Sequence, residues 1–360
     1  MRNTELSRRG FLSAAGLGIM GLALTGCSGE AEKDAGSAGS ASSASTSQTV
    51  EKPEAVEVRV ASLKGPTTIG LVDFMDKAAD EKTAGDYAGL YSFQLSTAAD
   101  EILPLLIKGE VDIALIPANA ASVVYNKTEG AITCLDVNTL GVLSVVTGDS
   151  SVKEFADLKD RTVYLTGKGT TPEYTMDYLL DAVGIADSVT LEFKSEAAEV
   201  VSVLASDPSA VGVLPQPFVT AALAKNDKLS APVDLTDVWD EVSQSEGTDS
   251  RLVTGVTVVR NAFLEENPAV VQEFLMGQRA SVKAVNEDPA AAAKLVVAQG
   301  ILDSEAVAAK AIPACHLVCL TDRDLKEALP GYLTVLHDAD AASVGGKLPG
   351  DDFYYEVEGA

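Results

Sequence analysis

The chain has 360 residues, 46% hydrophobic and 22% charged, a composition that excludes disorder for most of its length and provides enough chain for more than one core. Its 53 acidic and 27 basic residues give a net charge of -26, which argues against a nucleic-acid partner because phosphate binding needs a basic surface. Two histidines and four cysteines are too few for the common metal or disulfide scaffolds.

The first 27 residues have the features of a targeting peptide. Arg8 and Arg9 precede an apolar stretch over residues 11–24, which is the pattern of a twin-arginine export signal. The stretch closes with Leu-Thr-Gly-Cys at residues 24–27, which resembles a bacterial lipobox, so Cys27 is the predicted lipidation site. We therefore expect an exported protein, lipid-anchored to the outer face of the bacterial cytoplasmic membrane.

Residues 28–54 are rich in Ala, Ser and Gly. Such a segment cannot bury enough apolar surface to offset its ordering entropy, so it is a predicted flexible tether. Because an anionic protein should not adhere electrostatically to an anionic membrane, the lipid would be its attachment.

From residue 56 onward, short β-branched runs alternate with amphipathic segments, which predicts an α/β fold with mostly parallel sheets. The first series consists of predicted strands at residues 56–62, 93–95 and 111–116, each followed by a helix, through residues 71–79, 102–107 and 124–125. Two further extended candidates, 133–137 and 141–147, are joined by a predicted turn at 138–140.

A second series repeats this plan, with strands at residues 162–166, 189–193 and 211–214 and helices at 173–183 and 196–206. A strand over residues 253–259 would return the chain to the first series, and residues 268–287, 289–299 and 322–336 are predicted packing helices. We expect two lobes, residues 55–145 plus 253–360 and residues 146–252, with the ligand cleft between them. The hinge is predicted near Gly141 and Gly255.

In open α/β sheets, ligands bind beyond the carboxyl ends of the strands, where helix N-termini and backbone N–H groups converge. Four loops meet this description, at residues 64–68, 96–98, 117–119 and 167–173. Their threonines and asparagine would either cap helices or contact a solute. With one aromatic residue further on, the candidate ligand-binding residues are Lys64, Gly65, Thr67, Thr68, Thr97, Asn119, Gly167, Lys168, Thr170, Thr171, Glu173 and Phe218.

Lys64 and Lys168 each neighbour a glycine in a loop that follows a strand, one in each predicted lobe. Closure of the cleft would bring two ammonium groups onto one anion. Glu173 would repel a purely anionic solute if it faced the cleft, so a zwitterion or an amino-heterocycle fits as well. Phe218 is an aromatic residue that would either stack on a flat ligand or pack in the core.

Several short stretches carry a resemblance to a known family through their order and spacing. They are, in chain order, Lys64-Gly65-Pro66-Thr67, GEVDIA at 109–114, PAN at 117–119, YNK at 125–127, TLGVL at 139–143, DLK at 157–159, GKG at 167–169, TPEY at 171–174, PQPF at 215–218 and GGKLP at 345–349. Behind a lipoprotein signal, they resemble the solute-binding lipoproteins of ABC importers that have the two-lobed type II periplasmic-binding fold. The branch in question handles sulfonates, nitrate and thiamine pyrimidines.

The resemblance implies that the lobes close on a small polar solute and present it to a membrane permease whose separate ATPase powers import. We expect a monomer with no cofactor, no metal and no catalytic residues. Two alternatives remain from the sequence: an enzyme on the same fold, since the family also resembles the yeast thiamin-pyrimidine synthase, and a tethered solute sensor. That enzyme's cysteine-rich iron motif is not reproduced here.

Cys315, His316 and Cys319 form the one local cluster of soft metal ligands. A structural zinc site usually needs four convergent ligands, and no second Cys/His pair exists in the sequence. Packed apolar thiols are therefore the favoured interpretation, with a disulfide as the second.

Overall fold

A computed structural model describes residues 55–80, 84–248 and 250–356. The signal peptide, Cys27 and the tether over residues 28–54 lie outside the described residues. Within the described ranges, no helix is both long enough and apolar enough to cross a membrane.

The described strands form two sheets. They are β1 (Val56–Leu63), β2 (Gly89–Ser96), β3 (Ile113–Pro117), β4 (Ile132–Leu140), β5 (Leu143–Thr147), β6 (Thr162–Leu165), β7 (Thr190–Phe193), β8 (Val211–Pro215), β9 (Ser230–Asp234), β10 (Val253–Arg260) and β11 (Leu317–Leu320). The first sheet has the order β11-β4-β10-β3-β1-β2 and the second has the order β7-β6-β8-β5-β9. The alignment of β2-β1-β3 with β7-β6-β8 shows that the second lobe repeats the plan of the first.

Between the described strands, parallel pairing occurs only for β1 with β2 and β3, and for β6 with β7 and β8. The expectation of mostly parallel sheets is therefore too strong, and both sheets are mixed. Strands β5 and β10 are antiparallel to β8 and β3, their neighbours. The reason is that the chain enters each sheet from the other lobe at the cleft edge, where β3 and β8 end.

The change of lobe also comes earlier than predicted. All of β5 belongs to the second sheet, so the predicted boundary between residues 145 and 146 falls inside a strand, and the chain crosses between Leu140 and Leu143. The predicted turn at 138–140 is instead the end of β4. Its polar side chains find partners within the sheet: Asn138 Nδ2 donates to Thr257 Oγ1 at 3.2 Å, and Thr139 Oγ1 donates to Asn138 Oδ1 at 2.9 Å.

Helices flank both sheets. The α-helices are α1 (Pro66–Ile69), α2 (Val72–Ala79), α3 (Ala99–Lys108), α4 (Ala118–Lys127), α5 (Thr171–Val183), α6 (Ala197–Ser206), α7 (Phe218–Lys225), α8 (Leu235–Glu246), α9 (Asn261–Glu266), α10 (Pro268–Glu287), α11 (Pro289–Ala298), α12 (Glu305–Ala311) and α13 (Asp322–Ala339). Helices α4 to α7 follow β3, β6, β7 and β8 directly, so their N-termini lie at the carboxyl ends of those strands.

The cysteine cluster is part of the packing of the first lobe. Cys315 is buried with apolar neighbours, and Cys319 lies in β11, where its Sγ donates to the buried Asp136 Oδ2 at 3.1 Å. The three cysteines of the described chain are unpaired thiols. Trp239 is also a core residue, fully buried between Tyr178 and Tyr332, with its indole nitrogen donating to Ser250 Oγ at 3.1 Å.

Candidate functional site

A cavity of about 730 Å³ lies where the carboxyl ends of the parallel strands of both sheets meet. Each of these six strands contributes its last residue or a residue of the loop that follows. They are Lys64 after β1, Thr97 after β2, Pro117 of β3, Gly167 after β6, Lys194 after β7 and Pro215 of β8. The cleft is therefore built from both halves of the repeat, as the strand order requires.

Eight of the twelve candidate residues line this cavity. They are Lys64, Thr67, Thr97, Gly167, Lys168, Thr170, Thr171 and Phe218. Lys64 and Lys168 belong to loops of different lobes, and both ammonium-bearing side chains are exposed.

Four candidates do not line the cavity, and local bonding explains three of them. Thr68 is buried beneath its loop, with its hydroxyl 2.6 Å from Ser62 Oγ and also bonded to the Leu63 carbonyl oxygen. Asn119 is fully buried and donates from Nδ2 to Ser343 O at 3.1 Å and to Gly169 O at 3.3 Å. Glu173 accepts a hydrogen bond from the backbone N–H of Gly169, while Gly65 precedes α1 at φ 143°.

The role of Glu173 is repeated in two other helices that begin at the cavity. Glu101 accepts from Thr97 N at 3.2 Å, and Glu199 accepts from Ser195 N at 3.0 Å. In each case a glutamate in the first turn of a helix bonds the backbone N–H four residues earlier, like half of a capping box. Glu173 is therefore a loop-closing residue and does not line the cavity.

Helices α3, α5, α6 and α7 all begin at the cavity, and none has a side chain on its N-cap residue that accepts from the first turn, among the described residues. By contrast, Asp234 and Asp288 cap α8 and α11, which do not start at the cavity, and Ser304 caps α12, which follows the cavity residue Asp303. Thr170, a candidate cap, instead donates to Gly167 O at 2.7 Å. In α7 the Thr220 N–H donates to Gln216 Oε1 at 3.3 Å, and the helix N-termini whose N–H groups have no such side-chain partner favour a negatively charged ligand.

The charged side chains of the cavity are predominantly basic although the chain has a net charge of -26. The lysines are Lys64, Lys127, Lys168, Lys194 and Lys225, and the carboxylates are Asp100, Glu196 and Asp303. Two of the lysines have defined partners: Lys194 forms an ion pair with Glu192 at 2.6 Å, and Lys168 Nζ lies 5.8 Å from the centre of the Phe193 ring. The cavity therefore has more cationic than anionic groups.

Several parts of the cavity wall were missed by the sequence analysis, among them residues 194–198 after β7. One face of α4 and one face of α7 line it, as do residues 300–303 between α11 and α12. In that segment Ile301 and Leu302 share an apolar cluster with Ala221 of α7, so a segment of the first lobe packs against a helix of the second. The only sequence signal for the two helical faces was the spacing of their lining residues at positions i, i+3 and i+7. The same spacing is found in helices that pack against a core, so it does not distinguish a cavity wall from a core face.

Hydrogen bonds link the lobes next to the cavity. Thr171 Oγ1 donates to Thr254 O at 3.4 Å and accepts from Tyr332 OH, 3.2 Å away. The third link joins Asn119 to the Gly169 carbonyl oxygen. Thr171 and Asn119 therefore hold the two lobes together, through Thr171 Oγ1 and Asn119 Nδ2, while the buried Asn119 Oδ1 has no hydrogen-bond partner among the described residues.

Comparison with known proteins supports the fold. The sequence matches no protein-family model and no curated protein. Among solved structures, it is similar to an ABC transporter protein from Parabacteroides distasonis, with a TM-score of 0.68, 24% identity and coverage of 84% of this chain and 99% of that one. It is also similar to the periplasmic aliphatic sulphonate binding protein SsuA from Escherichia coli, with a TM-score of 0.66, 14% identity and coverage of 86% and 95%.

A third similar structure is the periplasmic nitrate-binding protein NrtA from Synechocystis PCC 6803, with a TM-score of 0.51, 13% identity and coverage of 68% of this chain and 66% of that one. These neighbours are the kind of protein that the sequence resemblance predicted. The chain has the two-lobed α/β fold of periplasmic binding proteins, and the predicted fold class is confirmed.

Proposed function

We propose that this protein is the solute-binding component of an ABC importer, which captures a small anionic solute between its lobes and performs no covalent chemistry. The observation that carries the proposal is the cavity itself: six strand ends and four helix N-termini from two lobes converge on it, with five lysines against three carboxylates. Such a site stabilises negative charge through fixed N–H groups and ammonium groups together.

Closure follows from the division of the site between the lobes. Lys64 belongs to one lobe and Lys168 to the other, so a solute that contacts both binds more tightly to the closed arrangement than to an open one. A ligand shifts such an equilibrium by its differential affinity for the two states. In this proposal the closed form is presented to a permease, and lipid on Cys27 keeps the protein at the membrane.

The solved neighbours support transport as the setting, since they include proteins described as binding sulphonate and nitrate. The first experiment is native mass spectrometry of freshly purified protein to identify any co-purifying solute, followed by calorimetry with sulfonates, nitrate, aminopyrimidines and amino acids. An acid bound at one per chain supports the proposal, and binding only of cations or neutral heterocycles contradicts the anionic part of it.

The lysine pair is tested with the same ligand. Lys64→Gln and Lys168→Gln remove one charge each from opposite sides of the cavity with little change in side-chain length. Lys108→Gln is a matched control, because Lys108 is an exposed residue at the end of α3 that does not line the cavity. We expect each cavity variant to weaken binding by about tenfold, since a hydrogen bond to a charged group contributes about 1.5–3 kcal/mol. Unchanged affinity in both cavity variants would refute the proposal that Lys64 and Lys168 bind the same anion.

A further inference from the structure

The first chain crossing between the lobes is two residues long. Strand β4 of the first lobe ends at Leu140 and β5 of the second lobe begins at Leu143, so only Gly141 and Val142 lie between them. Hinges absorb a change in the angle between lobes through a few backbone dihedrals at such places. Any bending of this crossing is therefore concentrated at or beside these two residues.

On one side, His316 binds the crossing twice. Its carbonyl oxygen accepts from Leu140 N at 3.2 Å, and its ring nitrogen Nδ1 lies 2.5 Å from Gly141 O. A carbonyl oxygen is only an acceptor, so Nδ1 carries the hydrogen and donates it. His316 directly precedes β11, which pairs with the end of β4, so this attachment belongs to the first lobe.

His316 makes these bonds from a left-handed backbone conformation. Its φ is 44°, in a region that is unfavourable for residues with a Cβ and is occupied mainly by Gly, Asn and Asp. Strained residues of this kind persist where the surrounding structure fixes them, and they are concentrated at functional positions. The two bonds to the crossing are constraints of this type.

On the other side, the second lobe holds the next peptide group. Gln216 N, which follows β8, donates to Val142 O at 2.9 Å, and the pairing of β5 with β8 begins with Leu143 opposite Pro215. The carbonyl groups of Gly141 and Val142 belong to consecutive peptide planes, and these planes are held by opposite lobes. Because each peptide group is planar, the only rotations between them are φ and ψ of Val142.

From this arrangement we infer that Val142 is the pivot of the first crossing and that His316 is the positioning residue that confines bending to it. The inference rests on the proposed function, because a pivot has a role only if the lobes open and close on a solute. With Gly141 held by the His316 ring, the open form has fewer bent arrangements, so closure costs less conformational freedom. His316 thereby favours closure although it does not line the cavity.

Gly141, near which the sequence predicts a hinge, has a packing role in this account. A Cβ at this position would collide with Thr236 Oγ1 of the second lobe and would lie 3.1 Å from Leu252 Cδ2. The glycine is thus required by the close approach of its neighbours. The freedom to bend lies one residue further along the chain, at Val142.

The ring bond is tested first, by heteronuclear NMR of the histidine rings in the solute-free full mature protein. The chain has two histidines, so the variant His337→Gln leaves only the signals of His316. We expect neutral His316 to carry its hydrogen on Nδ1, because the hydrogen bond of a ring nitrogen selects the tautomer. A neutral ring with its hydrogen on Nε2 would overturn the inference, since Nδ1 would have no hydrogen to donate.

Amide hydrogen exchange then tests whether both attachments persist in the solute-free protein, in which the lobes are free to open. We expect the N–H groups of Leu140 and Gln216 to exchange within about tenfold of the rates of the N–H groups inside β4 and β8. Much faster exchange of either group would show that its attachment breaks on opening, and the pivot would then not be confined to Val142.

Three variants isolate the effect of the ring. His316→Gly removes the side chain, and glycine suits a φ of 44°, so the carbonyl attachment to Leu140 is kept. His316→Asn should restore the ring bond, because asparagine also tolerates the left-handed region and its side-chain amide donates from a position near that of Nδ1. Asp160→Gly is the matched control, since Asp160 has a φ of 61° at an exposed turn that precedes β6.

Calorimetry with hexane-1-sulfonate as the probe anion measures closure. We expect His316→Gly to bind it about fivefold more weakly than the wild type, since closure must then order the backbone of one further residue, Gly141. His316→Asn and Asp160→Gly should stay within about twofold of the wild type. In small-angle X-ray scattering, the radius of gyration of the solute-free protein should rise in His316→Gly alone.

The outcomes separate this inference from the proposed function. If the anion binds and His316→Gly has the affinity and the radius of gyration of the wild type, the inference is wrong and solute capture stands. An equal loss in His316→Gly and His316→Asn would also overturn the role of the ring bond. If no anion binds to any of the proteins, the anionic part of the proposed function fails. The tautomer, the exchange rates and the radius of gyration, all measured without solute, then decide the inference.

Discussion

The hydroxyl of Tyr332, in α13 of the first lobe, donates a hydrogen bond to Thr171 Oγ1 at the start of α5 in the second lobe. Thr171 in turn donates to the carbonyl oxygen of Thr254, in the strand that returns the chain to the first lobe. Thr171, which the sequence predicts as a ligand contact, therefore also links the two lobes through hydrogen bonds. Both residues are buried, so these bonds are shielded from competition with water.

Thr171→Val removes both bonds while preserving the shape of the side chain. We expect solute affinity to fall by about fivefold to a hundredfold, because unsatisfied buried polar groups cost about 1–3 kcal/mol and the cost applies to the closed form. Tyr332→Phe breaks only one of the two bonds and should have a smaller effect. Calorimetry measures the ratio, and equal affinities in wild type and both variants would contradict a role in closure.

Gly255 lies in β10, where a Cβ would come within 2.5 Å of Thr67 Cγ2 and 2.6 Å of Asn138 Oδ1. Gly255→Ala should therefore displace Thr67, which lines the cavity, and weaken solute binding as well as stability. Gly331→Ala is the control: its Cβ would have no neighbour closer than 3.6 Å, and it lies within α13. We expect that variant to gain about 0.5–1 kcal/mol of unfolding free energy with unchanged affinity. Wild-type affinity in Gly255→Ala would refute the packing argument.

Asp112 is buried and shared by two guanidinium groups, with Oδ1 at 2.6 Å from Nη2 of both Arg59 and Arg260. Burial raises the pKa of the Asp112 carboxyl, but the hydrogen bonds from the two arginines outweigh it and hold the pKa below its usual value. Removing this carboxylate leaves two partly exposed guanidinium groups without their partner, so Asp112→Ala should lose about 1–3 kcal/mol of unfolding free energy.

The pH dependence of the Asp112 contribution follows from the direction of its shift. A carboxyl whose pKa is lower in the folded chain contributes stability above its unfolded pKa of about 3.9 and loses it as the pH falls through the folded value.

The exposed pair Arg323–Glu327 provides the control for Asp112→Ala, since Glu327→Gln should change the unfolding free energy by under about 0.5 kcal/mol. Urea unfolding midpoints measure both, and similar values for Asp112→Ala and Glu327→Gln would contradict the assignment.

Asp136 in β4 has the opposite shift. Burial raises the pKa of its carboxyl to about 6, against hydrogen bonds from Thr257 and Cys319 that lower it. Its stabilising contribution is thus complete below about pH 4 and is lost as the pH rises through about 6. Asp136→Asn should remove this loss, so the variant's unfolding midpoint should change less between about pH 4 and 7 than that of the wild type. An identical pH profile for the two proteins would show that Asp136 does not titrate in this range.

The sequence predicted most regular elements because their patterns are local. Helix α10 begins at Pro268 and ends at Glu287, as the proline at its first turn and the apolar periodicity predict. Asn138 and Thr139 are predicted in a turn because polar residues favour turns, but Asn138 bonds Thr257 across the sheet, and these partners are 119 residues apart in sequence. Only the tertiary structure brings those partners together.

The residues of the candidate site also fall into those that local patterns predict and those that depend on the tertiary structure. The loops after β1, β2 and β6 follow directly from strand–helix alternation, so Lys64, Thr97 and Lys168 could be proposed from sequence. Lys127 and Lys225 lie at the far ends of helices, and nothing local distinguishes their helical faces from faces that pack in a core. Residues 300–303 reach the cavity only because their apolar side chains dock on Ala221 of the other lobe.

The central claim is that two lobes close around one solute, and small-angle X-ray scattering tests it most directly. The wild-type protein is measured alone and after saturation with the solute that native mass spectrometry identifies, with Thr171→Val measured in parallel. We predict that saturation lowers the radius of gyration of the wild type and that the variant needs more solute to reach the same value. A radius of gyration that does not change in a protein shown by calorimetry to be saturated would contradict the account.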